Sequence, residues 1–230
     1  MGELGYVKSN LDLLLQEIKQ LSEKYGNEVT LVAVTKSGSD EELLALAKAG
    51  VTDIGENRPG ELKRRGDLLA SHGYRPKLHE IGNLQRNKVK LIAEGVDLIH
   101  SLDNFALATE IDKQAKKLGR IIPVLIEINS AREPQKDGVM PEDAEEFLIK
   151  LKEFSGIKVV GLMTMGPVCE NPEDIRPYFR QTRQLYDRLN RAYDFGEGVL
   201  SMGMSDSYRV AIEEGATLVR VGRKLFNKDV

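Results

Sequence analysis

At 230 residues the chain is long enough for one well-buried α/β core and does not require two domains. Its 33 basic and 36 acidic side chains leave a net charge of -3, so no summed field favours nucleic acid or an anionic membrane surface. Cys169 is the single cysteine, which excludes an intrachain disulfide or a thiolate metal cluster within one subunit and predicts a reducing, cytoplasmic location, and no apolar stretch approaches the roughly 20 residues of a membrane helix.

Leu4, Val7, Leu11, Leu14, Leu15, Ile18 and Leu21 recur at helical spacing, so the chain opens with an amphipathic helix expected to plug or flank the main body of the fold. From Val29 onward strand-like and helix-like segments alternate, with strands expected near 29–36, 51–56, 77–82, 96–101, 121–128, 157–164, 198–204 and 216–221. Helical patterns such as Leu107, Ile111, Ala115 and Leu118, or Phe147, Leu148 and Leu151, lie between them. Apolar strands alternating with amphipathic helices call for a parallel sheet covered by helices. Eight units of roughly 25 residues predict a closed (β/α)8 TIM barrel, a single α/β domain over residues 1–230 with an extra N-terminal helix. A doubly wound dinucleotide fold would want Gly-x-Gly-x-x-Gly after its first strand, and Lys36-Ser37-Gly38-Ser39-Asp40 supplies one glycine. The segment Pro167–Pro177 reads as an ordered loop before a long helix.

In a parallel barrel the functional face is built at the carboxyl ends of the strands. Those positions here are Lys36, Glu56-Asn57, Gly82-Asn83, His100-Ser101, Asn129, Met163-Thr164-Met165, Ser201 and Arg220, polar or small where the strand bodies are apolar. Lysine titrates ordinarily near about 10.4, so a free amine at pH 7 costs about 4.6 kcal/mol, and burial or a cationic neighbour such as Arg220 lowers that cost. Lys36 is thus a candidate nucleophile toward an aldehyde, forming an imine; pairing with a carboxylate such as Glu56, or binding phosphate as a point charge, are the alternatives. Ser201-Met202-Gly203 and Gly222-Arg223 come after the seventh and eighth strands, where barrels often build phosphate sites from backbone N–H groups, with Ser201 and Arg223 as side-chain donors; Gly222 alternatively only relieves crowding.

Weaker candidates read as structural. His72, His79 and His100 lack metal-ligand spacing, so no metal is expected, and His79 is expected to be a hydrogen-bonded interior residue. Lys63-Arg64-Arg65 reads as a solvated helix face, and Met163, Met165, Met202 and Met204 as core filling or pocket lining.

In order and nearly end to end, Ala33-Val34-Thr35-Lys36, Ile54-Gly55-Glu56-Asn57, His79-Glu80-Ile81-Gly82-Asn83-Leu84-Gln85-Arg86-Asn87-Lys88, Gly161-Leu162-Met163-Thr164-Met165, Leu200-Ser201-Met202-Gly203-Met204-Ser205-Asp206 and Val219-Arg220-Val221-Gly222 resemble the pyridoxal phosphate homeostasis protein family, the YggS or PROSC proteins. The barrel of that family is similar to the N-terminal domain of alanine racemase. The resemblance implies that Lys36 forms the internal aldimine, a Schiff base, with pyridoxal 5'-phosphate (PLP), that Ser201 and the backbone around Gly222 hold the phosphate, that Arg220 faces the pyridine nitrogen and that Asn57 lies near the ring. Leu78, where many members carry tryptophan, and Arg223, where threonine is frequent, depart from the pattern.

An arginine at the pyridine nitrogen makes a weak electron sink. Alanine racemases share it, and they also take a tyrosine from an additional β domain of a partner subunit. The sequence ends at Val230, right after the eighth strand, and no room for that domain is expected. The resemblance therefore implies a PLP carrier in vitamin B6 homeostasis without efficient catalysis, which either delivers PLP to apo PLP enzymes or only buffers it, and without that domain's contacts a monomer is expected. The alternatives are a small PLP-dependent amino-acid racemase using Tyr208 or His79 as proton donor, and an aldolase-like or sugar-phosphate enzyme using Lys36.

Overall fold

Eight short runs whose side chains alternate between two faces pair in parallel to form one closed barrel: β1 (Thr30–Val34), β2 (Asp53–Glu56), β3 (Lys77–Glu80), β4 (Leu98–Leu102), β5 (Ile122–Glu127), β6 (Ile157–Met163), β7 (Val199–Ser201) and β8 (Leu218–Val221). This computed structural model describes residues 4–196 and 198–228; the extremes of the expected domain, 1–3 and 229–230, and Glu197 lie outside the described residues. Closure is made by β1 against β8, with Leu31 opposite Val219 and Ala33 opposite Val221. The (β/α)8 expectation is met, each strand falling within one or two residues of its expected start.

Alternation divides the apolar side chains into two cores. On β1, Leu31 and Ala33 face the helices, while Val32 joins Leu98, Leu125, Met163 and Leu218 in a separate cluster inside the barrel. The helices are α1 (Gly5–Tyr25), α2 (Asp40–Lys48), α3 (Pro59–Ser71), α4 (Val89–Ile92), α5 (Phe105–Lys117), α6 (Ala144–Leu151), α7 (Arg176–Tyr193) and α8 (Tyr208–Glu213). The N-terminal helix expected to flank the barrel packs between α8 and α2, so it fills the place in the helical ring between the last strand and the first. Val7, Leu11, Leu14 and Ile18, spaced three or four apart, are its buried stripe. None of the described helices is long and apolar enough to cross a membrane.

The strand ends decide where the site lies. β7 stops at Ser201, earlier than the expected 204, because Gly203 turns the chain at φ 93 and the Met204 carbonyl then accepts from Ser207 and Tyr208 as α8 begins. Met204 and Met165 are consequently exposed rim residues rather than strand positions, while Met163 stays in the inner core.

The register of β6 shifts by one residue, Val124 pairing with Val159 and Leu125 with Gly161. Gly161 has φ 152, and a Cβ there would lie 1.8 Å from the backbone oxygen of Val199 on β7. G161A is therefore expected to cost about 3 kcal/mol or more through forced separation of β6 from β7. For a domain of this size that lowers the thermal midpoint by about 6 °C or more; a calorimetric midpoint equal to that of the parent would contradict the bulge geometry.

Candidate functional site

Lys36 lies in the turn that joins β1 to α2, at the carboxyl mouth of the barrel, exposed and with no hydrogen bond or ion pair to any described residue. Three hydrogen bonds hold the turn around it. The Gly38 amide donates to the Thr35 carbonyl at 2.9 Å, and Arg65 on α3 donates to the carbonyls of Thr35 at 2.7 Å and Gly38 at 2.8 Å, one on each side of Lys36. Arg65 is 6% exposed, which corrects the expectation of a solvated Lys63-Arg64-Arg65 face. Leu62, Arg65 and Leu69 share the buried side of α3, so only Lys63 and Arg64 reach solvent.

Beneath this clamp Glu56 accepts from the Thr35 hydroxyl at 2.5 Å and lies 3.3 Å from the Arg65 guanidinium. Burial pushes its carboxyl up, against the opposing pull of Thr35 and Arg65. The Glu56 carboxylate is thus occupied, so the pairing of Lys36 with Glu56 is not formed.

Arg220 enters the interior from β8 and is 4% exposed. It donates through Nη1 to the Ser201 hydroxyl and through Nη2 to the Thr164 carbonyl at 3.0 Å. Burial pulls its guanidinium down to about 10, opposed by Glu127, so the cation persists at neutral pH. Glu127 on β5 is itself pushed up to about 7 by burial and by Asp103, with Arg220 acting the other way.

Ser201 has two further consequences. Its hydroxyl, fully buried, also lies 3.1 Å from Nδ1 of His100, whose Nε2 is 3.0 Å from Nδ1 of His79, whose Nε2 is 2.9 Å from Asp53. His79 is the hydrogen-bonded interior residue expected of it; Asp53 carries no sequence signal beyond its place on a strand. The Ser201 hydroxyl thus lies between Arg220 on one side and His100 on the other. Met202 is fully buried in the outer core and its amide donates to the Leu218 carbonyl at 3.1 Å, so strand alternation turns its side chain away from the mouth where the sequence pattern puts it.

A second hydroxyl lies four residues later. The Ser205 hydroxyl accepts from the Gly222 amide at 3.3 Å, joining the loops after β7 and β8. Gly222 is glycine because a Cβ would stand 2.8 Å from the Val34 carbonyl oxygen, so the loop lies directly on β1, beside the turn that carries Lys36. Arg223 pairs with Asp206 on the exposed rim. Asn57 is exposed just after β2, its backbone oxygen closely covered by Gly82.

The parallel barrel that carries these groups is of the alanine racemase N-terminal domain class, whose family profile matches residues 9–228. Within it, the chain belongs to the pyridoxal phosphate homeostasis protein family. It is 42% identical over 221 residues to the pyridoxal phosphate homeostasis protein of Aquifex aeolicus, covering 95% of this chain and 96% of that one. It is 34% identical over 226 residues to that of Helicobacter pylori, covering 96% and 98%. Among solved structures, PipY of Synechococcus elongatus with PLP bound superposes with a TM-score of 0.83 at 29% identity, covering 96% of this chain and 100% of that chain. An alanine racemase of Clostridium difficile, at 21% identity and TM-score 0.73, shares the fold over 95% of this chain and 55% of its own.

Glu80 ends β3 directly opposite Glu56 and is fully buried. One of its oxygens accepts from the Gly82 amide at 3.2 Å; the other has no partner among the described residues. Burial, then the nearby Glu56, pushes its carboxyl from 4.5 up to about 8, so the native state keeps a proton that the unfolded chain releases. Its contribution to stability is fully present below pH 4.5 and is lost as pH rises through about 8, with a slope of at most about 1.4 kcal/mol per pH unit. E80Q, neutral at every pH, is expected to gain on the parent steadily between pH 5 and 8 in urea unfolding; parallel stability curves for the two proteins would contradict an elevated Glu80.

Proposed function

We propose that the chain binds PLP reversibly at the barrel mouth, covalently through the Lys36 amine, and acts as an intracellular carrier in vitamin B6 homeostasis without efficient catalysis. The observation that carries this reading is the unpaired Lys36, clamped by Arg65, beside a cradle suited to a phosphate and a buried guanidinium. Bound PLP supplies an aldehyde that reacts reversibly with amines and a ring that catalysts use as an electron acceptor.

The residues present fit that group. Ser205 and the Gly222 amide take the phosphate, with Arg223 at the rim; Ser201, assigned to the phosphate by the family pattern, instead holds Arg220 from below. Arg220 would face the ring nitrogen, where a fixed cation would disfavour protonation and so weaken electron withdrawal. Asn57 stands at the ring edge. Met202 supports the loop from the outer core.

A racemase needs a second acid or base on the face of the ring opposite the lysine, and neither expected donor is placed to serve. The Tyr208 hydroxyl lies 3.4 Å from Lys224, on the outer side against α1, and is pushed up to about 12 by burial and Glu17. His79 is enclosed between Asp53 and His100. The chain then acts as one cofactor-binding domain, a cytoplasmic monomer that either hands PLP to apo PLP enzymes or buffers it. The single, free Cys169 supports the reducing compartment.

Saturation with PLP followed by borohydride is expected to give a visible absorption band and a covalent adduct on Lys36 in the parent, and neither in K36A. S205A is expected to keep the adduct while weakening PLP binding roughly tenfold or more, the loss of one charge-assisted hydrogen bond. Solvent deuterium is expected not to enter the α carbon of alanine at an enzymatic rate; rapid exchange would establish the racemase. Identical free-aldehyde spectra for parent and K36A would overturn the cofactor assignment and favour the sugar-phosphate reading.

A further inference from the structure

With both rings neutral, the chain of buried side chains under the mouth has one hydrogen arrangement that pairs every member. Arg220 has only N–H donors, so the Ser201 oxygen must accept from Nη1. Burial, then the positive or polar neighbours His79 and Arg220, holds His100 well below its ordinary value, so its ring is neutral and carries one hydrogen. Asp53 is a carboxylate: burial raises it, but the bonds from His79 and Thr52 outweigh that and leave it below its ordinary value. His79 then donates from Nε2 to Asp53 and accepts at Nδ1 from His100 Nε2–H; His100 accepts at Nδ1 from the Ser201 hydroxyl; and the freed lone pair of Ser201 faces Arg220.

These groups come from β2, β3, β4, β7 and β8 and stand beside Val32, Leu98, Leu125, Met163 and Leu218. Buried polar groups in such surroundings are costly unless every one is paired, and apolar side chains would fill the same space without that requirement. What the chain accomplishes is directional: it prevents the Ser201 hydroxyl from turning its hydrogen toward Arg220, so that Nη1 is held by Ser201 and Nη2 by the Thr164 carbonyl. Both ends of the guanidinium fork are then fixed, and its remaining N–H groups have one orientation.

We propose that His79 and His100 are positioning residues that, through Ser201, aim the Arg220 guanidinium at the bound cofactor. The proposal rests on the PLP reading for the identity of the ligand, and on the hydrogen-bond chain for the role of the two histidines. Both histidines are buried beneath the mouth and act through Ser201.

Nitrogen-15 NMR of the imidazoles in the protein without PLP, combined with PLP titration monitored by visible absorption, tests it. His100 is expected as the neutral Nε2–H tautomer at pH 7, with Nδ1 of His79 accepting from it. H100F, which keeps a ring but neither polar atom, is expected to bind PLP about tenfold more weakly and to shift the absorption band. H100Q, which retains one donor and one acceptor, is expected to recover most of both. The double variant H100F/S201A is expected to bind no more weakly than S201A alone, since both changes break one chain. S201A, which removes a single oxygen atom, carries the comparison if H100F does not fold, and is expected to show the same weakening and band shift. Parent affinity and an unshifted band in folded H100F or in S201A, or an Nδ1–H tautomer at either ring, would overturn the positioning role while leaving the PLP site standing. A parent protein that takes up no PLP would instead overturn the cofactor reading and this role with it.

Discussion

A guanidinium 4% exposed inside a barrel of valine, leucine and methionine side chains is the constraint on which the rest of the site depends. Removing such a charge from water costs several kcal/mol unless acceptors replace the lost hydration. Arg220 finds them on the adjoining strand ends, in the Ser201 hydroxyl and the Thr164 carbonyl, and feels the opposite charge of Glu127 across the mouth. Each of these groups is in turn committed: Ser201 to His100, the Thr164 hydroxyl to the Ile128 carbonyl at 2.9 Å and to Ser130. Polar demand therefore propagates from one buried cation through much of the barrel interior.

A second buried arginine does the complementary task on the outside of the sheet. Arg65 satisfies backbone carbonyls and Glu56 between α3 and β1, and in doing so fixes the turn on both sides of Lys36 while leaving the amine itself without a partner. The two arginines thus make opposite use of the same chemistry: one is held by backbone and hydroxyl acceptors so that it can be presented, the other does the holding. The lysine between them is both well placed and available, the combination that reversible capture of an aldehyde requires.

The strand and helix order is legible in the chain because barrel strands buried on both faces are nearly continuous apolar runs, and the helices between them carry one apolar stripe. Lys36, Arg220 and Gly222 are legible for a related reason, since each stands where such a run ends. Arg65 is easily mistaken for a surface residue because its neighbours Lys63 and Arg64 are exposed; the signal that distinguishes it is its spacing from Leu62 and Leu69, which places it on the core side of α3. The seventh strand stops at Ser201 rather than running on to residue 204, and the turn at Gly203 brings the Ser205 hydroxyl to the Gly222 amide, a pairing that the sequence pattern does not show.

The sequence by itself determined the kind of fold, the family, and the chemical types gathered at one end of the barrel, because periodicity and strand-end position are local properties of the chain. Which arginine clamps the Lys36 turn and which lies inside the barrel, and the pairing of Asp53, His79, His100 and Ser201, were decided only by the tertiary structure. Those partners are as many as 101 residues apart in the chain, and they meet because barrel closure and strand register bring inward-facing positions of different strands to one level of the interior.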